Sequence, residues 1–256
     1  MNMIYHVTAN LKRLKLPAVS ENLELREREA KEQDLGYVEF LSLLIQDEIA
    51  SREANILHKR VQNGSLNCRL TFESFDFRFN NKELPSQTVR DLATCHFVER
   101  NRNLVFCGPP GIGKTHIAQG IGHEICRRGF DALFFKTHKL LTKLTDDSYP
   151  RRVVRLWKQC VSAKVLILDD FGFRNYNTRE CELLYELADE RLGKASTIIT
   201  SNRPAEDWYG VFPDPVIGGA ILDRMVSSAI KLVVEKGRSY RKEGKRPDEV
   251  LEQSVV

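Results

Sequence analysis

The chain has 256 residues, 42% of them hydrophobic and 29% charged, enough to bury one full α/β core and leave residues for a smaller module. A net charge of +4 is too small to identify a nucleic-acid partner from the total, so local clusters have to carry that question. No apolar run is long enough to span a bilayer, the N-terminus lacks a signal-type apolar core, and Cys68, Cys95, Cys107, Cys126, Cys160 and Cys181 show no metal-ligand spacing; we expect a soluble protein of the reducing cytoplasm with no membrane partner.

Residues 1–70 read as helical. The basic piece Leu11-Lys12-Arg13-Leu14-Lys15-Leu16 ends at Pro17, whose fixed φ suits the first turn of a new helix. Val19, Leu23 and Ala30 continue a helical stripe until Gly36, and a second helix follows with Val38, Leu41, Ile45, Ile49, Ile56 and Val61 on one face before a stop at Asn63-Gly64. Ten Lys and Arg balance ten Asp and Glu over this stretch, which marks a solvated helix surface better than a nucleic-acid patch. The expectation is an N-terminal α-helical module over 1–70 that docks a protein partner, with a tethered DNA-binding role as the second reading, and a larger domain over 71–256.

The larger part opens on Phe72, Phe75, Phe77 and Phe79 in a loop-like stretch, before a helix predicted over 86–99. Two readings stand for the aromatics: a cover for a flat adenine base, or a linker packed on the core. Leu104-Val105-Phe106-Cys107 then reads as a strand, and Gly108-Pro109-Pro110-Gly111-Ile112-Gly113-Lys114-Thr115 matches G-x-x-x-x-G-K-[ST] directly after it. Glycines at these positions let backbone N–H groups close around phosphate oxygens, and the helix that begins here adds partial positive charge. All eight residues are therefore expected to cradle ATP, with Lys114 reaching the β- and γ-phosphates and the Thr115 hydroxyl ligating Mg²⁺. A surface turn that happens to precede Lys-Thr is the alternative, but it leaves the strand and the Ile117, Ala118, Ile121, Ile125 stripe unexplained.

Gly129 ends that helix, Ala132-Leu133-Phe134-Phe135 forms the next strand, and another helix begins near Thr137. Between Lys139 and Lys158 the six basic residues Lys139, Lys143, Arg151, Arg152, Arg155 and Lys158 face only Asp146 and Asp147, with Tyr149 among them. Basic side chains with an aromatic, on an excursion from a sheet, are a footprint of phosphate-backbone binding; a solvated face is the other reading.

Val165-Leu166-Ile167-Leu168 is a buried-strand run ending in Asp169-Asp170. Acids at the C-terminal end of a parallel strand lie where ligands bind in open sheets. Asp169 is expected to hold Mg²⁺, commonly through water, and Asp170 to orient or deprotonate the attacking water. After a helix over 178–192, Ser196-Thr197-Ile198-Ile199-Thr200 gives a β-branched strand ending at Ser201-Asn202-Arg203-Pro204. If that strand lies between the other two, Asn202 points at the γ-phosphate or the water. A patterned segment over 217–229, a last strand over 230–234 and a basic end over 231–246 close the chain.

The phosphate loop, Asp169-Asp170-Phe171-Gly172, Thr200-Ser201-Asn202-Arg203-Pro204, Asp223-Arg224-Met225 and Gly237-Arg238-Ser239-Tyr240-Arg241 together resemble the AAA+ ATPases of the helicase-loader and initiator clade. Leu14-Lys15-Leu16-Pro17, Tyr37-Val38-Glu39-Phe40-Leu41, Asp47-Glu48 and Phe72-Glu73-Ser74-Phe75-Asp76-Phe77 resemble its IstB branch, the ATP-binding helpers of insertion-sequence transposases. The resemblance implies an α/β P-loop AAA+ domain, a parallel sheet flanked by helices, without a C-terminal helical lid after Val234. It implies that Asn202 is the sensor residue, that Arg224 is an arginine finger for a neighbouring subunit's nucleotide, and that residues 137–160 include a helical insertion that touches DNA. Asp170 stands where many AAA+ ATPases have Glu, which implies slow hydrolysis, and Arg238 or Arg241 would have to replace a lid-borne arginine.

The function expected from this is an ATP-dependent, Mg²⁺-requiring regulator of transposition. It would self-associate into a ring or helical oligomer on duplex DNA and recruit and activate the transposase of the same insertion sequence. A replicative helicase loader of the same clade is the nearest alternative, followed by an ATP-binding scaffold with negligible hydrolysis. A small-molecule kinase is disfavoured, because a kinase needs an acceptor pocket and lid.

Overall fold

The computed structural model describes residues 3–243. The chain divides into two compact units, residues 1–59 and 60–256.

In the first unit, α1 (Met3–Arg13) and α2 (Pro17–Glu32) precede the long helix α3 (Tyr37–Asn63), whose last residues belong to the second unit. Pro17 takes the first position of α2, and no side chain of that helix caps its N-terminus. The cap comes instead from α3. The buried Glu48 carboxylate accepts from the backbone N–H of Ala18 at 3.0 Å and of Val19 at 3.4 Å, and also from Arg52 Nε at 2.9 Å. A carboxylate at that point meets orphan amides and the positive end of the helix dipole together. Arg26 of α2 grips Asp47 of α3 through two bonds, 2.8 Å from Nε and 2.6 Å from a terminal nitrogen. With α2 and α3 joined through Glu48 and through the Arg26–Asp47 pair, the apolar stripe of α3 faces outward: Val38, Leu41, Ile45, Ile49 and Ile56 are exposed. The left-handed residue between α2 and α3 is Asp34 (φ 51°), so Gly36 is not what the turn requires.

The second unit begins before residue 71. Gly64 follows α3, yet the left-handed residue there is Ser65 (φ 54°); glycine is needed because a Cβ would stand 2.2 Å from the Ala132 carbonyl oxygen. Phe134 N–H donates to the Gly64 carbonyl, Asn67 N–H to Gln119 Oε1, and the Asn67 carbonyl pairs with His123 Nε2. These bonds tie residues 64–70 to the second unit, and the division falls at Lys59–Arg60, earlier than the expected 70. The helix expected over 86–99 is two helices, α4 (Ser86–Ala93) and α5 (His96–Glu99), because the buried Cys95 between them is left-handed (φ 56°).

Five strands form one parallel sheet: β1 (Leu104–Cys107), β2 (Ala132–Lys136), β3 (Val165–Asp169), β4 (Ser196–Ser201) and β5 (Ile230–Val233), in the order β2-β3-β4-β1-β5. The central strands β1, β3 and β4 are buried along their whole length, whereas the edge strand β5 is not. This is why the central three read as continuous apolar or β-branched runs. Alternate residues serve opposite faces. Val105, Leu166, Leu168 and Ile199 join a core with α7 (Thr137–Leu144), α8 (Pro150–Ser162), α9 (Thr178–Arg191) and α10 (Pro215–Val226). Ile167 meets the other face, where a Cβ at Gly122 of α6 (Lys114–Arg127) would stand 3.2 Å from its Cδ1. Five of the six cysteines are buried, Cys68 alone being exposed.

One buried cation belongs to this scaffold. Arg191 at the end of α9 is 2% exposed and donates to the carbonyls of Cys160, Val161 and Ala163 at the end of α8, to the Ser196 carbonyl and to Thr197 Oγ1. A guanidinium placed on the orphan carbonyls of a helix C-terminus also meets the negative end of its dipole. The described chain ends in a short helix, α11 (Tyr240–Glu243); Lys245, Arg246 and whatever follows lie outside the described residues.

Candidate functional site

The strand order puts β4 between β3 and β1, so the C-terminal ends of three adjacent strands carry Asp169, Asn202 and the loop 108–113. Gly111 (φ 87°) and Gly113 (φ 102°) hold left-handed conformations that let the loop turn into α6. They also admit close neighbours. A Cβ at Gly111 would lie 2.9 Å from the Ser239 Cα, and one at Gly113 would lie 2.8 Å from the Phe75 ring.

Lys114 is 6% exposed. Its Nζ donates at 2.8 Å to the carbonyls of Gly108 and Pro109 and to Asn202 Oδ1. Burial pushes its ammonium down to about 8, against the opposing pull of Asp169 and Asp170. Thr115 Oγ1 donates to Asp169 Oδ1 at 2.7 Å, and Thr200 Oγ1 donates to the same oxygen at 2.5 Å. Burial raises the Asp169 carboxyl, while the two hydroxyls pull it back. A hydroxyl beside a carboxylate is the hard-oxygen donor set that Mg²⁺ prefers. Together with a buried ammonium at the mouth of an amide-lined loop, the residues present fit a magnesium nucleoside triphosphate.

Asp170 leaves β3 in a left-handed conformation (φ 55°), which aspartate tolerates. The turn is fixed from below: Phe171 N–H donates to the Thr200 carbonyl, Ser201 Oγ to the Phe171 carbonyl, and Trp208 Nε1 to Ser201 Oγ. The Asp170 carboxylate is paired with Lys136 Nζ at 2.8 Å, and that bond holds the lysine ammonium above its usual range. Lys136 and Thr200 are residues that sequence reasoning missed. Lys136 closes the apolar strand β2 in register with Asp169; a lone charge ending an apolar strand is the available signal, but the strand neighbours that give it meaning are not local in sequence.

The aromatic lead-in closes the loop from the other side. Phe75 stacks edge-on to Phe77 and to His116, whose Nε2 is 2.8 Å from the Thr71 carbonyl. Phe79 meets Tyr240 at 4.9 Å, and Tyr240 N–H donates to the Gly111 carbonyl. Arg238 is committed to this packing: it bonds the Phe79 carbonyl and lies over the Phe79 ring. Arg241, next to Tyr240 on α11, is exposed.

Arg224 is elsewhere. Asn103, just before β1, donates to the Arg224 and Met225 carbonyls, so this part of α10 sits at the N-terminal end of the sheet, opposite Lys114. Lys139 and Lys143 project from α7, and Arg151, Arg152 and Arg155 from α8. All five are exposed, and among the described residues none forms an ion pair. Asp147, one of the two acids between Lys143 and Arg151, is held by both terminal nitrogens of Arg179.

Comparison with known proteins agrees with this geometry. The IstB-like ATP binding protein family matches residues 9–247. A Mycobacterium tuberculosis protein named as an ATP-binding protein in an insertion sequence is 38% identical over 239 residues, 93% of this chain and 94% of its own. The IS21 ATP-binding protein of Pseudomonas aeruginosa is 36% identical over 246 residues, 96% of this chain and 92% of its own. Among solved structures, the DnaC helicase loader aligns with a TM-score of 0.56 at 22% identity, covering 65% of this chain and 97% of that one. Domain III of Thermotoga maritima DnaA aligns with a TM-score of 0.57 at 23% identity, covering 73% and 76%. The five-stranded parallel sheet with its phosphate loop is thus the AAA+ fold of these replication proteins, and the chain belongs to the IstB-like ATP-binding proteins.

Proposed function

We propose that this chain binds ATP where copies of itself meet on duplex DNA, and that the resulting ring or helical assembly recruits and activates the transposase of its own insertion sequence. The observation that carries the DNA part is the exposed face of Lys139, Lys143, Arg151, Arg152 and Arg155 without ion-pair partners among the described residues. It belongs to the two helices that follow β2, the strand whose last residue holds Asp170. The insertion-sequence relatives favour transposition as the setting. The balanced charge of residues 1–70 and the outward apolar stripe of α3 suit docking of the transposase to the first unit, with the second unit, from Arg60, as the ATPase domain.

In this reading Lys114 exchanges the carbonyls of Gly108 and Pro109 for the β- and γ-phosphate oxygens. Thr115 and Asp169 hold Mg²⁺, which when bound supplies positive charge against the phosphates. Asp170 orients the attacking water and takes its proton, which requires Lys136 to give up its 2.8 Å bond. Asn202 moves from Lys114 to the γ-phosphate or the water, and Arg224 acts on the nucleotide of a neighbouring copy. The shorter reach of Asp170 compared with glutamate makes hydrolysis slow, so ATP serves assembly and release. The basic residues of α7 and α8 contact backbone phosphates and read no sequence.

The test is a reconstituted strand-transfer reaction with the transposase, paired with binding to duplex and single-stranded DNA of equal length under ATP and ADP. We expect ATP-dependent assembly on duplex, visible by electron microscopy, and stimulated strand transfer. Preference for single strands, with helicase loading and no effect on strand transfer, would instead support a helicase loader.

A further inference from the structure

The Arg224 side chain is held at three points. Nε donates to Asp189 Oδ1 at 2.8 Å, one terminal nitrogen to the Tyr185 hydroxyl at 2.8 Å, and the other to the Ala220 carbonyl, one turn back on its own helix, at 3.1 Å. The guanidinium also lies over the Tyr185 ring, 4.4 Å from its centroid. Tyr185 and Asp189 are four residues apart on α9, so both reach Arg224 from one face of that helix.

A guanidinium has five N–H groups in a rigid plane. Three are bonded, which leaves one N–H on each terminal nitrogen to donate to phosphate oxygens. The three bonds and the ring remove the rotamer freedom that a long arginine side chain otherwise loses on meeting a ligand.

We propose that Tyr185 and Asp189 are positioning residues that hold Arg224 so that its two unbonded N–H groups can meet a phosphate of the nucleotide bound by a second copy of this chain. This rests on the reading of Arg224 as a residue that acts in trans. The bonds from α9 keep the fork in one orientation before the copies meet, so assembly does not have to order it. Asp189 works through Nε and leaves the terminal fork free.

Full-length Tyr185→Phe and Asp189→Asn, measured for ATP turnover on saturating duplex DNA, test this. We expect kcat to fall severalfold in Tyr185→Phe and roughly tenfold in Asp189→Asn, with KM and ATP affinity unchanged, because rotamer ordering is then left to the docking step. Mixing either variant with Asp170→Asn chains, which supply an intact Arg224 beside the variant's intact site, should restore turnover per variant chain. A purely structural role predicts no such rescue. Failure to restore turnover on mixing, an altered ATP affinity, or wild-type or higher kcat in both variants would overturn the inference. Arg224→Ala separates this from failure of the underlying reading: wild-type turnover in that variant would remove the trans role itself, and with it the need for positioning.

Discussion

Lys114 and the basic residues of α7 and α8 carry the same charge in opposite surroundings. Lys114 is buried, bonded to three oxygens and flanked by carboxylates. Lys139, Lys143, Arg151, Arg152 and Arg155 stand in solvent. In the first region a buried charge is aimed at a point and bonded to fixed partners, so the loss of one group disturbs the others. In the second, each charge acts through a screened field without an ion-pair partner among the described residues, although Lys143 lies over the Phe135 ring and Arg152 over the Tyr149 ring. The first should therefore break in large, non-additive steps, and the second should erode in small, additive ones.

Asp170→Asn should give the largest effect, a fall in ATP turnover of about 10²–10⁴-fold, the range a positioned base contributes. Nucleotide binding should persist in the same variant, measured by titration calorimetry; unchanged turnover would show that Asp170 is not the base. Lys114→Ala comes next, weakening ATP binding by roughly a hundredfold, because charged hydrogen bonds contribute about 1.5–3 kcal/mol each. Wild-type affinity there would sink the assignment of the loop.

On the open face, combined reversal of Lys143, Arg151 and Arg152 to Glu should weaken binding to all DNA sequences alike. The slope of log affinity against log salt should flatten by about 2–3, since each phosphate contact contributes about 0.9. An unaltered slope returns α7 and α8 to a merely solvated surface. The smallest change belongs to Lys139→Ala alone, which should move that slope by about 0.9 at most and leave turnover without DNA untouched. If this single variant abolished DNA binding, the proposed additivity of the exposed face would be wrong.

How much of this was legible in the sequence follows the same division. The phosphate loop and the acids ending β3 stand out because the chemistry demands particular residues at fixed spacing beside apolar strands. The sheet itself was readable from Val165–Leu168 and Ser196–Thr200, since strands buried on both faces cannot alternate. What local spacing does not carry is who stands across from whom. Lys136 beside Asp170, Thr200 on Asp169, and Tyr185 with Asp189 around Arg224 all come from strand order or helix packing. The glycine after α3 was identified as a stop, yet its reason is the Ala132 carbonyl some seventy residues away in sequence. The stripe on α3 was visible as a stripe, but periodicity alone does not say whether a face turns inward or outward.

The uneven burial of the thiols gives the chain a built-in optical handle. Burial pushes Cys95, Cys107 and Cys181 up to about 11 and Cys160 up to about 12, and raises Cys126 as well, so near neutral pH these five hold almost no reactive thiolate. Cys68 is exposed, beside the Asn67 backbone that is tied to Gln119 and His123 on the helix leaving the phosphate loop. A maleimide dye on the unmodified chain should therefore load once per molecule, and its emission would report from the back of that helix as ATP arrives at the front.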